Sequence, residues 1–438
     1  MTHRVQQSRS SKRLASPKLA YIVSAFPVLT ETFILYEIIA MEKLGVAIEL
    51  YPLRRGRSPI THEEAGRWIK RAHYRPFFSL SVLRAQWHFI HRDPAGYCQV
   101  WAEILRGAWG SANFFFGAIA IFPKAVLLAY EMLKTGITHV HAHFANHPAV
   151  AALIIHRLTG IPFSFTARGT DIQVDRHMLR LKVDAAECVI AVSFYNKNII
   201  LDECGLGVRE KVHVIYGGID VDRLSPALGR PAGPFRILCV ARFEEVKGHA
   251  YLVEACRILR ERGVAFECRL LGIGPLLPVV EKQVLQAGLS EHVRLLGPRA
   301  YQDVICELRQ ADTFVLPTAQ TANGKCEGIP NVLKEAMACG VPVVASSVGG
   351  IPELVDDCCT GVLVPSKNAI ALADALQSLG EDAALRRRLG RAAREKVVRD
   401  FNLKLSTAKR ANLFLGGNRR SFACQNSSDG SESQVTVR

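Results

Sequence analysis

The stretch "TFVLPTAQTANGKCEGIPNVLKEAMACGVPVVAS", residues 313–346, decides the fold class. It begins with the apolar run "TFVLP" and ends with a second one, "VPVVAS", and such runs are typical of buried parallel strands. Between them Pro330 suits the first position of a helix, and Gly340 followed by Pro342 suits its end. Strand, helix and strand in this order predict a βαβ unit, with the turn around Glu327 at the carboxyl end of its first strand.

The same alternation of strands and helices covers almost the whole chain, which is the signature of an α/β fold. The segment "SPALGRPAGP" (225–234) has no periodicity and is the best candidate for a linker. We therefore predict two doubly wound, Rossmann-like domains, residues 19–229 and 230–395, with a ligand cleft between them at the strand ends. The predicted strands are 19–24, 48–53, 139–144, 163–167 and 189–193 in the first domain, and 235–241, 266–272, 292–297, 313–317 and 341–346 in the second.

Charge and cysteine usage narrow the class of protein. The 438 residues carry a net charge of +15, which favours a phosphate-rich partner or an anionic membrane surface. Residues 1–18 are basic without a following apolar core, so we expect a disordered tail rather than a secretory signal, and a second disordered tail at 417–438. The twelve cysteines form no C-x-x-C pair and suit a reducing cytoplasm.

The segment 54–130 departs from the alternation. From Arg54 to Trp109 it carries ten Lys and Arg against four acids, together with all four tryptophans of the chain. The apolar stretch "FFFGAIAIFP" (114–123) is shorter than the roughly 20 residues that span a bilayer, and we expect Pro123 to interrupt it. This composition predicts helices that lie in a membrane interface, although an ordinary helical insertion with its aromatic residues in the core would have the same composition. The tryptophans are Trp68, Trp87, Trp101 and Trp109.

Two glutamates flank the predicted helix start in the opening stretch. The backbone N–H groups there lie at the positive end of a helix dipole, where phosphate binds. Glu335, one turn into the helix, is placed to accept hydrogen bonds from a ribose diol, and Glu327 to reach a sugar beyond the phosphates. A purely structural explanation is also open, in which Glu335 is an acid near the start of the helix and Glu327 is a solvated glutamate. The helix-start residues are Gly328, Ile329, Pro330, Asn331 and Val332.

Two cations follow the first strand of the second domain. In "VARFEEVKGH" (240–249), Arg242 and Lys247 lie where they could clamp a diphosphate leaving group, and Gly248 allows close approach of the backbone. Two further glycine turns end neighbouring strands. They are "LLGIGP" (270–275), with Gly272, and "LLGPR" (295–299), with Pro298 and Arg299.

These motifs, in this order, resemble those of the retaining glycosyltransferases of family 4. The matching segments are "YGGID" (216–220), "RFEEVKG" (242–248), "GIGP" (272–275) and "EGIPNVLKEA" (327–336). The opening "AYIVSAFPVLTETFILYEI" (20–38) is similar to members that build bacterial exopolysaccharides of the colanic acid type.

The resemblance implies the GT-B fold, in which two Rossmann-like domains face each other across a cleft. It implies an acceptor on the first domain and a nucleotide sugar on the second, and a helix at 396–416 that crosses back onto the first domain. By the same resemblance, Arg242 and Lys247 hold the diphosphate, Glu335 the ribose and Glu327 the donor sugar.

One position departs from the family pattern. Many relatives have a histidine before Gly-x-Asp in the first domain, where this chain has Arg168 in "FTARGTDI". An arginine stays charged and cannot act as a base, so we expect Arg168 to bind sugar hydroxyls or phosphate, or to be a structural ion-pair partner. The acceptor-side candidates are Asp171, His143 and Glu31.

The predicted reaction is retaining hexosyl transfer from a nucleoside diphosphate sugar, UDP- or GDP-linked, to a lipid-linked saccharide in surface polysaccharide synthesis. We expect no cofactor, no metal and no nucleic-acid partner, and a peripheral position on the cytoplasmic face of the inner membrane. A metal-dependent hydrolase is the alternative, because His139, His141 and His143 would share one face of a strand and could hold zinc. A non-catalytic scaffold would require the phosphate clamp to be broken, and its residues are intact.

Overall fold

Two six-stranded parallel sheets organise the chain, as seen in a computed structural model that describes residues 18–28, 32–56, 64–226 and 233–415. The first sheet contains β1 (Lys18–Phe26), β2 (Ala47–Arg55), β3 (His139–His143), β4 (Phe163–Ala167), β5 (Cys188–Ala191) and β6 (Val212–Val214). The second contains β7 (Phe235–Val240), β8 (Phe266–Leu271), β9 (Val293–Gly297), β10 (Thr313–Leu316), β11 (Val343–Ser346) and β12 (Val362–Val364).

The strand orders identify the crevice of each sheet. The first sheet has the order β2-β1-β3-β4-β5-β6 and the second the order β12-β11-β10-β7-β8-β9. The order reverses between β1 and β3 in the first sheet, and between β7 and β10 in the second. Ligands of open α/β sheets bind at such switch points, outside the carboxyl ends of the strands.

Helices cover both sheets. Around the first lie α1 (Thr32–Lys43), α2 (Ala65–Arg71), α3 (Leu80–Arg92), α4 (Pro94–Ala108), α5 (Ala112–Thr135), α6 (His147–Thr159), α7 (Thr170–Gln173), α8 (Leu179–Ala185) and α9 (Phe194–Cys204). Around the second lie α10 (His249–Glu261), α11 (Leu277–Gln286), α12 (Tyr301–Gln310), α13 (Asn331–Ala338), α14 (Ile351–Leu354), α15 (Ala369–Glu381) and α16 (Ala383–Asp400). The last helix, α17 (Leu403–Phe414), packs against α1 of the first domain.

All ten predicted strands are present, and their bounds shift by at most two residues. The sequence analysis missed β6 and β12, which have three residues each and lie at the edges of their sheets. A run of three residues is too short to show a period, so pairing with β5 and β11 makes these segments strands.

Three predictions fall outside the described residues. The two tails lie there almost entirely, and so do Glu31 and residues 227–232 of the linker.

The prediction of a single helix at 396–416 is wrong, because the helical structure is interrupted between α16 and α17. Asn402 lies between the two helices. Its side chain accepts a hydrogen bond from the backbone N–H of Lys404 and thereby caps the amino terminus of α17.

Pro123 does not interrupt its segment, contrary to expectation. The helix α5 is continuous over 24 residues, and by length and composition it is the one helix of the described residues that could cross a membrane. Eleven of its side chains are nevertheless buried, and it packs mainly against α6. Burying these side chains outweighs the cost of about 3 kcal/mol of an internal proline, so α5 is a core helix of the first domain.

The tryptophans separate into two groups. Trp68 is 1% exposed and lies in a core cluster with β1, β2 and α1, while Trp101 stacks on Phe122 with 3.7 Å between ring centroids. Trp87 and Trp109 are 63% and 75% exposed. Two tryptophans therefore complete the core, as an ordinary helical insertion requires, and the other two face solvent, where the predicted membrane contact needs them.

Candidate functional site

A cavity of about 360 Å³ lies between the two domains at the crevices of both sheets. Strand-end loops of the first domain and the turn before α13 form its walls. The residues that line it are Phe33, Phe144, Arg168–Asp171, Val192, Gly217, Lys325–Asn331 and Lys334. The site prediction placed Glu327, Arg168 and Asp171 at a common cleft, and the structure brings all three to this cavity.

Glu327 and Lys247 form an ion pair in this site. Lys247 Nζ lies 2.7 Å from Glu327 Oε1, and both side chains are less than one-fifth exposed. Lys247 follows β7 and Glu327 follows β10, so the pair joins the two strands at the switch point of the second sheet. A cation and an anion are thus held together where a diphosphate and a sugar were predicted to bind.

Arg242 lies further from the cavity wall. Its side chain is 59% exposed, and its Nη2 lies 3.1 Å from Glu244 Oε1. The other oxygen of Glu244 is 3.3 Å from Lys325 Nζ, so one carboxylate orients cations from both strand ends. Lys325 therefore lines the cavity, Lys247 pairs with the lining residue Glu327, and Arg242 is linked to Lys325 through Glu244.

The glycines of the predicted clamp have a packing role. Gly248 has φ of +69°, and a Cβ there would lie 1.8 Å from the carbonyl oxygen of Pro317. A Cβ at Gly272 would lie 2.0 Å from the carbonyl oxygen of Ala241, beside Arg242. These contacts explain both glycines by the close approach of neighbouring strand-end loops, and contact with a phosphate stays a prediction. Pro298 and Arg299 are exposed on the loop between β9 and α12.

The turn before α13 is packed against both domains. Pro330, with φ of −62° and ψ of 133°, precedes the helix as its N-cap instead of forming its first residue. The N–H groups of the first helical turn have no partner within a helix and are free for an anion. Two contacts hold the turn in place, because a Cβ at Gly328 would lie 3.1 Å from the Arg168 carbonyl oxygen and one at Gly349 only 1.9 Å from that of Glu327.

The carboxyl group of Glu335 has an unusually high pKa. Burial raises the pKa of its carboxyl group to about 7, against the opposing effects of Lys334 and of a hydrogen bond with Tyr301. Glu335 does not line the cavity itself but lies one turn behind Asn331 on α13. The hydroxyl groups of a ligand would donate hydrogen bonds to the ionised carboxylate of Glu335 and favour that form. The site therefore suits a ligand with many hydroxyl groups.

Arg168 is held from two sides. Its guanidinium carbon lies 3.9 Å above the ring centroid of Phe33, and its Nη2 lies 3.5 Å from Glu37 Oε2 and 3.4 Å from His143 Nδ1. The side chain is 13% exposed and borders the cavity. Arg168 is therefore an ion-pair partner, as one prediction stated. It also faces the cleft, which is the position that the other prediction, ligand binding, requires.

Asp171 stabilises the loop that carries Arg168. Its carboxylate accepts hydrogen bonds from the backbone N–H groups of Ala145 (2.7 Å), Gly169 (2.6 Å) and Arg168 (3.1 Å). The residue is 8% exposed. These contacts explain Asp171 by the shape of the loop, so a contact with the acceptor stays a prediction.

Comparison with known proteins identifies the class of enzyme. Residues 220–396 match the family model "Glycosyl transferases group 1", and residues 95–223 match "Glycosyltransferase Family 4". The chain is similar to the amylovoran biosynthesis glycosyltransferase AmsK of Erwinia amylovora, with 38% identity over 90% of this chain and 98% of that protein. WcaL of Escherichia coli, named for colanic acid biosynthesis, is 31% identical over 90% of this chain and 99% of its own. The chain is a family 4 glycosyltransferase.

Solved structures of lower identity support the fold. A glycosyltransferase from Rickettsia africae superposes with a TM-score of 0.69 at 19% identity, over 91% of this chain and 98% of that one. Anabaena HepE, solved in complex with UDP, superposes with a TM-score of 0.66 at 17% identity, over 91% and 99% of the two chains. The predicted GT-B architecture of two facing parallel-sheet domains is thereby confirmed.

The metallohydrolase alternative is not supported. The histidines do share one face of β3, and Glu37 adds a carboxylate, since ligand atoms of Glu37, His141 and His143 lie within 4.8 Å of one another. The group does not fit a divalent cation. Both ring nitrogens of His141 already contact hydroxyls, those of Ser164 at 2.8 Å and Thr166 at 3.0 Å.

Positive charge already surrounds the carboxylate of that cluster. Glu37 Oε2 lies 3.5 Å from Arg168 Nη2 and 3.5 Å from Arg410 Nε, so two guanidinium groups neutralise it. Burial lowers the pKa of both His141 and His143 well below the ordinary value, so the pair is neutral. The cluster is a buried ion-pair network that joins α1, β3, the Arg168 loop and the last helix α17.

Sequence reasoning missed several residues of the site. Lys334, beside Glu335, donates a hydrogen bond to the Gly217 carbonyl oxygen at 2.5 Å, and burial lowers its pKa to about 7. Glu353, in α14, accepts hydrogen bonds across the domain boundary from the backbone N–H groups of Phe194 (2.7 Å) and Tyr195 (2.8 Å). The tripeptide "GIP" occurs twice in the sequence, at 328–330 and at 350–352. This repeat could have indicated that a second turn packs on the first.

Proposed function

We propose that this enzyme transfers a hexose from a UDP- or GDP-linked donor to a lipid-linked saccharide, with net retention at the anomeric carbon, in exopolysaccharide synthesis. The proposal depends on the position of Lys247 after β7, where it pairs with Glu327 in the turn that precedes α13, and on Arg242 in the same strand-end loop. Two cations and a helix amino terminus supply what a departing diphosphate needs.

In the proposed reaction, the bond between the anomeric carbon and the diphosphate oxygen breaks, and its electron pair leaves with the diphosphate. The acceptor oxygen forms a bond to the same face of the sugar, and its proton passes to the leaving phosphate oxygen. Arg242, Lys247 and the first turn of α13 stabilise the charge that develops on the diphosphate. Glu327, beside Lys247, orients the sugar, and Arg168 faces it from the first domain.

The proposed pathway follows from the two relatives. AmsK and WcaL are named for the biosynthesis of the exopolysaccharides amylovoran and colanic acid, and this chain matches nearly their full length. We propose the same type of pathway for this enzyme, acting on a growing saccharide at the cytoplasmic face of the membrane.

Surface chemistry supports an acceptor that is attached to a lipid. Large apolar side chains are exposed on and around α3 and α5, among them Phe78 (87%), Leu80 (85%), Trp87 (63%) and Phe116 (69%). The exposed cations Arg84, Arg92 and Arg106 occur on α3 and α4. Aromatic and basic side chains together suit the interface of an anionic membrane. Phe114 does not take part, because it is 1% exposed.

A nucleotide screen tests the donor site. The melting temperature should rise with UDP or GDP and should not rise with uridine or guanosine, because the proposed clamp recognises the diphosphate. The rise should follow RT ln(1 + [L]/Kd) with ligand concentration. If no nucleoside diphosphate shifts the melting temperature at millimolar concentration, the proposed donor class is wrong.

A further inference from the structure

A second groove, of about 1080 Å³, lies on the first domain beside the inter-domain cavity. It is formed by the turn between α4 and α5 and by the segment that follows α7. Thr170 and Asp171, at the start of α7, line the inter-domain cavity, and Gln173, at its end, lines the groove. The short helix α7 therefore borders both spaces.

Gln173 connects the two spaces. Its side-chain oxygen accepts a hydrogen bond of 3.1 Å from the backbone N–H of Cys326, the residue before Glu327. This contact orients the amide, so its nitrogen is the atom that remains for another partner. The residue is 8% exposed, and its Nε2 has no hydrogen-bond partner among the described residues.

A buried amide N–H without a partner costs about 1–3 kcal/mol, so its presence requires an explanation. Gln173 lines the groove, so a ligand oxygen that enters there and displaces the atoms covering this nitrogen would supply the missing acceptor. Because the other end of the same amide holds the turn of Glu327, such a ligand would lie directly beside the donor sugar site.

The rest of the groove carries polar groups in fixed positions. Asp175 accepts hydrogen bonds from Ser111 Oγ at 2.7 Å and from His177 Nδ1 at 2.6 Å. Burial opposes ionisation of Asp175, but these hydrogen bonds hold the pKa of its carboxyl group below the usual value. Arg176 and Glu203 add a second charged pair, with 3.6 Å between Nη1 and Oε2. Alternating donors and acceptors of this kind suit the hydroxyl groups of a sugar.

Exposed aromatic side chains lie close in sequence to the part of the groove that Ser111 lines. Ser111, which lines the groove, is the N-cap of α5. Trp109, two residues before it, is 75% exposed, and its ring lies 5.8 Å from that of Phe115. Since Ser111 lines the groove, the aromatic side chains near it offer a surface for the apolar part of a glycolipid.

We propose that this groove binds the saccharide part of the acceptor, with Gln173 Nε2 donating a hydrogen bond to an acceptor sugar oxygen. The proposal rests on the proposed function, since it assigns a position to the acceptor of that reaction. It also gives Gln173 a positioning role, because one amide contacts both the acceptor and the backbone that carries Glu327.

Two variants separate the groove from the donor site. Gln173→Glu keeps an oxygen for the Cys326 N–H but loses the N–H donor, and Val174→Trp fills the groove from a position that is 50% exposed. Gln286→Glu, an exposed position on α11 of the other domain, is the matched control. Saturation-transfer NMR would be measured with the methyl glycosides of glucose, galactose and glucuronic acid, and separately with UDP and GDP.

At least one glycoside should bind the wild-type protein and the Gln286→Glu control. Gln173→Glu should weaken this binding about tenfold, as loss of one hydrogen bond predicts, and Val174→Trp should abolish it. Binding of a nucleotide without any glycoside, or glycoside binding that both groove variants retain, would overturn the groove assignment alone. Absence of nucleotide binding in the wild type would instead overturn the proposed donor site.

Discussion

Lys247 Nζ and Glu327 Oε1 lie 2.7 Å apart, although the two residues belong to turns after different strands of the second domain. Each neutralises the other in the ligand-free enzyme, so neither charge is buried alone. A diphosphate would compete with Glu327 for Lys247, and a sugar hydroxyl would replace Lys247 at Glu327. The pair thus keeps both groups in position before the substrate arrives.

We predict that Lys247→Ala lowers kcat by roughly a hundredfold or more, because a cation that meets developing charge contributes about 2.7–4 kcal/mol in the transition state. Arg242→Ala should have a smaller effect, since its side chain is 59% exposed and screened by water. Steady-state kinetics with the donor, with Lys282→Ala as an exposed control, would measure both. An unchanged kcat with a raised donor KM would assign Lys247 to ground-state binding only.

Donor binding should strengthen as the pH rises through about 7. The raised pKa of Glu335 means that its carboxyl group is protonated below this pH, whereas a ribose diol donates hydrogen bonds to the ionised form. In the free enzyme the same shift lowers stability as the pH rises from about 4.5 to 7, because the folded state binds the proton more tightly than the unfolded state.

Nucleotide-induced melting shifts at several pH values would test the role of Glu335, and Glu335→Gln should remove the dependence. Lys334 loses its charge in the same range, since burial lowers its pKa to about 7, and Glu335→Gln distinguishes the two groups. A pH dependence that survives in Glu335→Gln would assign the effect to Lys334 or to the terminal phosphate of the nucleotide, whose second pKa is about 6.

Membrane binding should depend on exposed aromatic residues and on salt. We predict that the enzyme floats with anionic liposomes at low salt, and that binding falls as salt rises because each cation contributes about 1 kcal/mol. Trp87→Ser combined with Phe116→Ser should weaken binding at any salt. The control Leu285→Ser removes an apolar side chain that is 64% exposed on the other domain. Wild-type protein that ignores anionic liposomes at low salt would remove the membrane proposal and leave the donor site untouched.

Glu353→Gln should loosen the contact between the domains. The carboxylate accepts two backbone hydrogen bonds at the amino terminus of α9 and a third, of 3.1 Å, from the Tyr216 hydroxyl. Loss of its charge should lower the free energy of unfolding by about 1–2 kcal/mol. Urea unfolding with Glu291→Gln as an exposed control would measure the change, and equal stability of the two variants would show that the contact is not stabilising.

The sequence by itself determined the architecture and the position of the donor turn. Strands such as 163–167 and the helix between Asn331 and Ala338 follow from local patterns of apolar, proline and glycine residues, which act over a few neighbours. Parallel strands end at one edge of a sheet, so the prediction that Lys247 and Glu327 face one cleft also followed from the sequence.

Only the tertiary structure decided which distant side chains meet. Arg168 pairs with Glu37 across 131 positions, and Gln173 reaches Cys326 across 153. No local period encodes such contacts, because they depend on how whole elements pack against each other. For the same reason the composition of 54–130 could not separate Trp68 and Phe114, which are buried in the core, from Trp87 and Phe116, which face solvent.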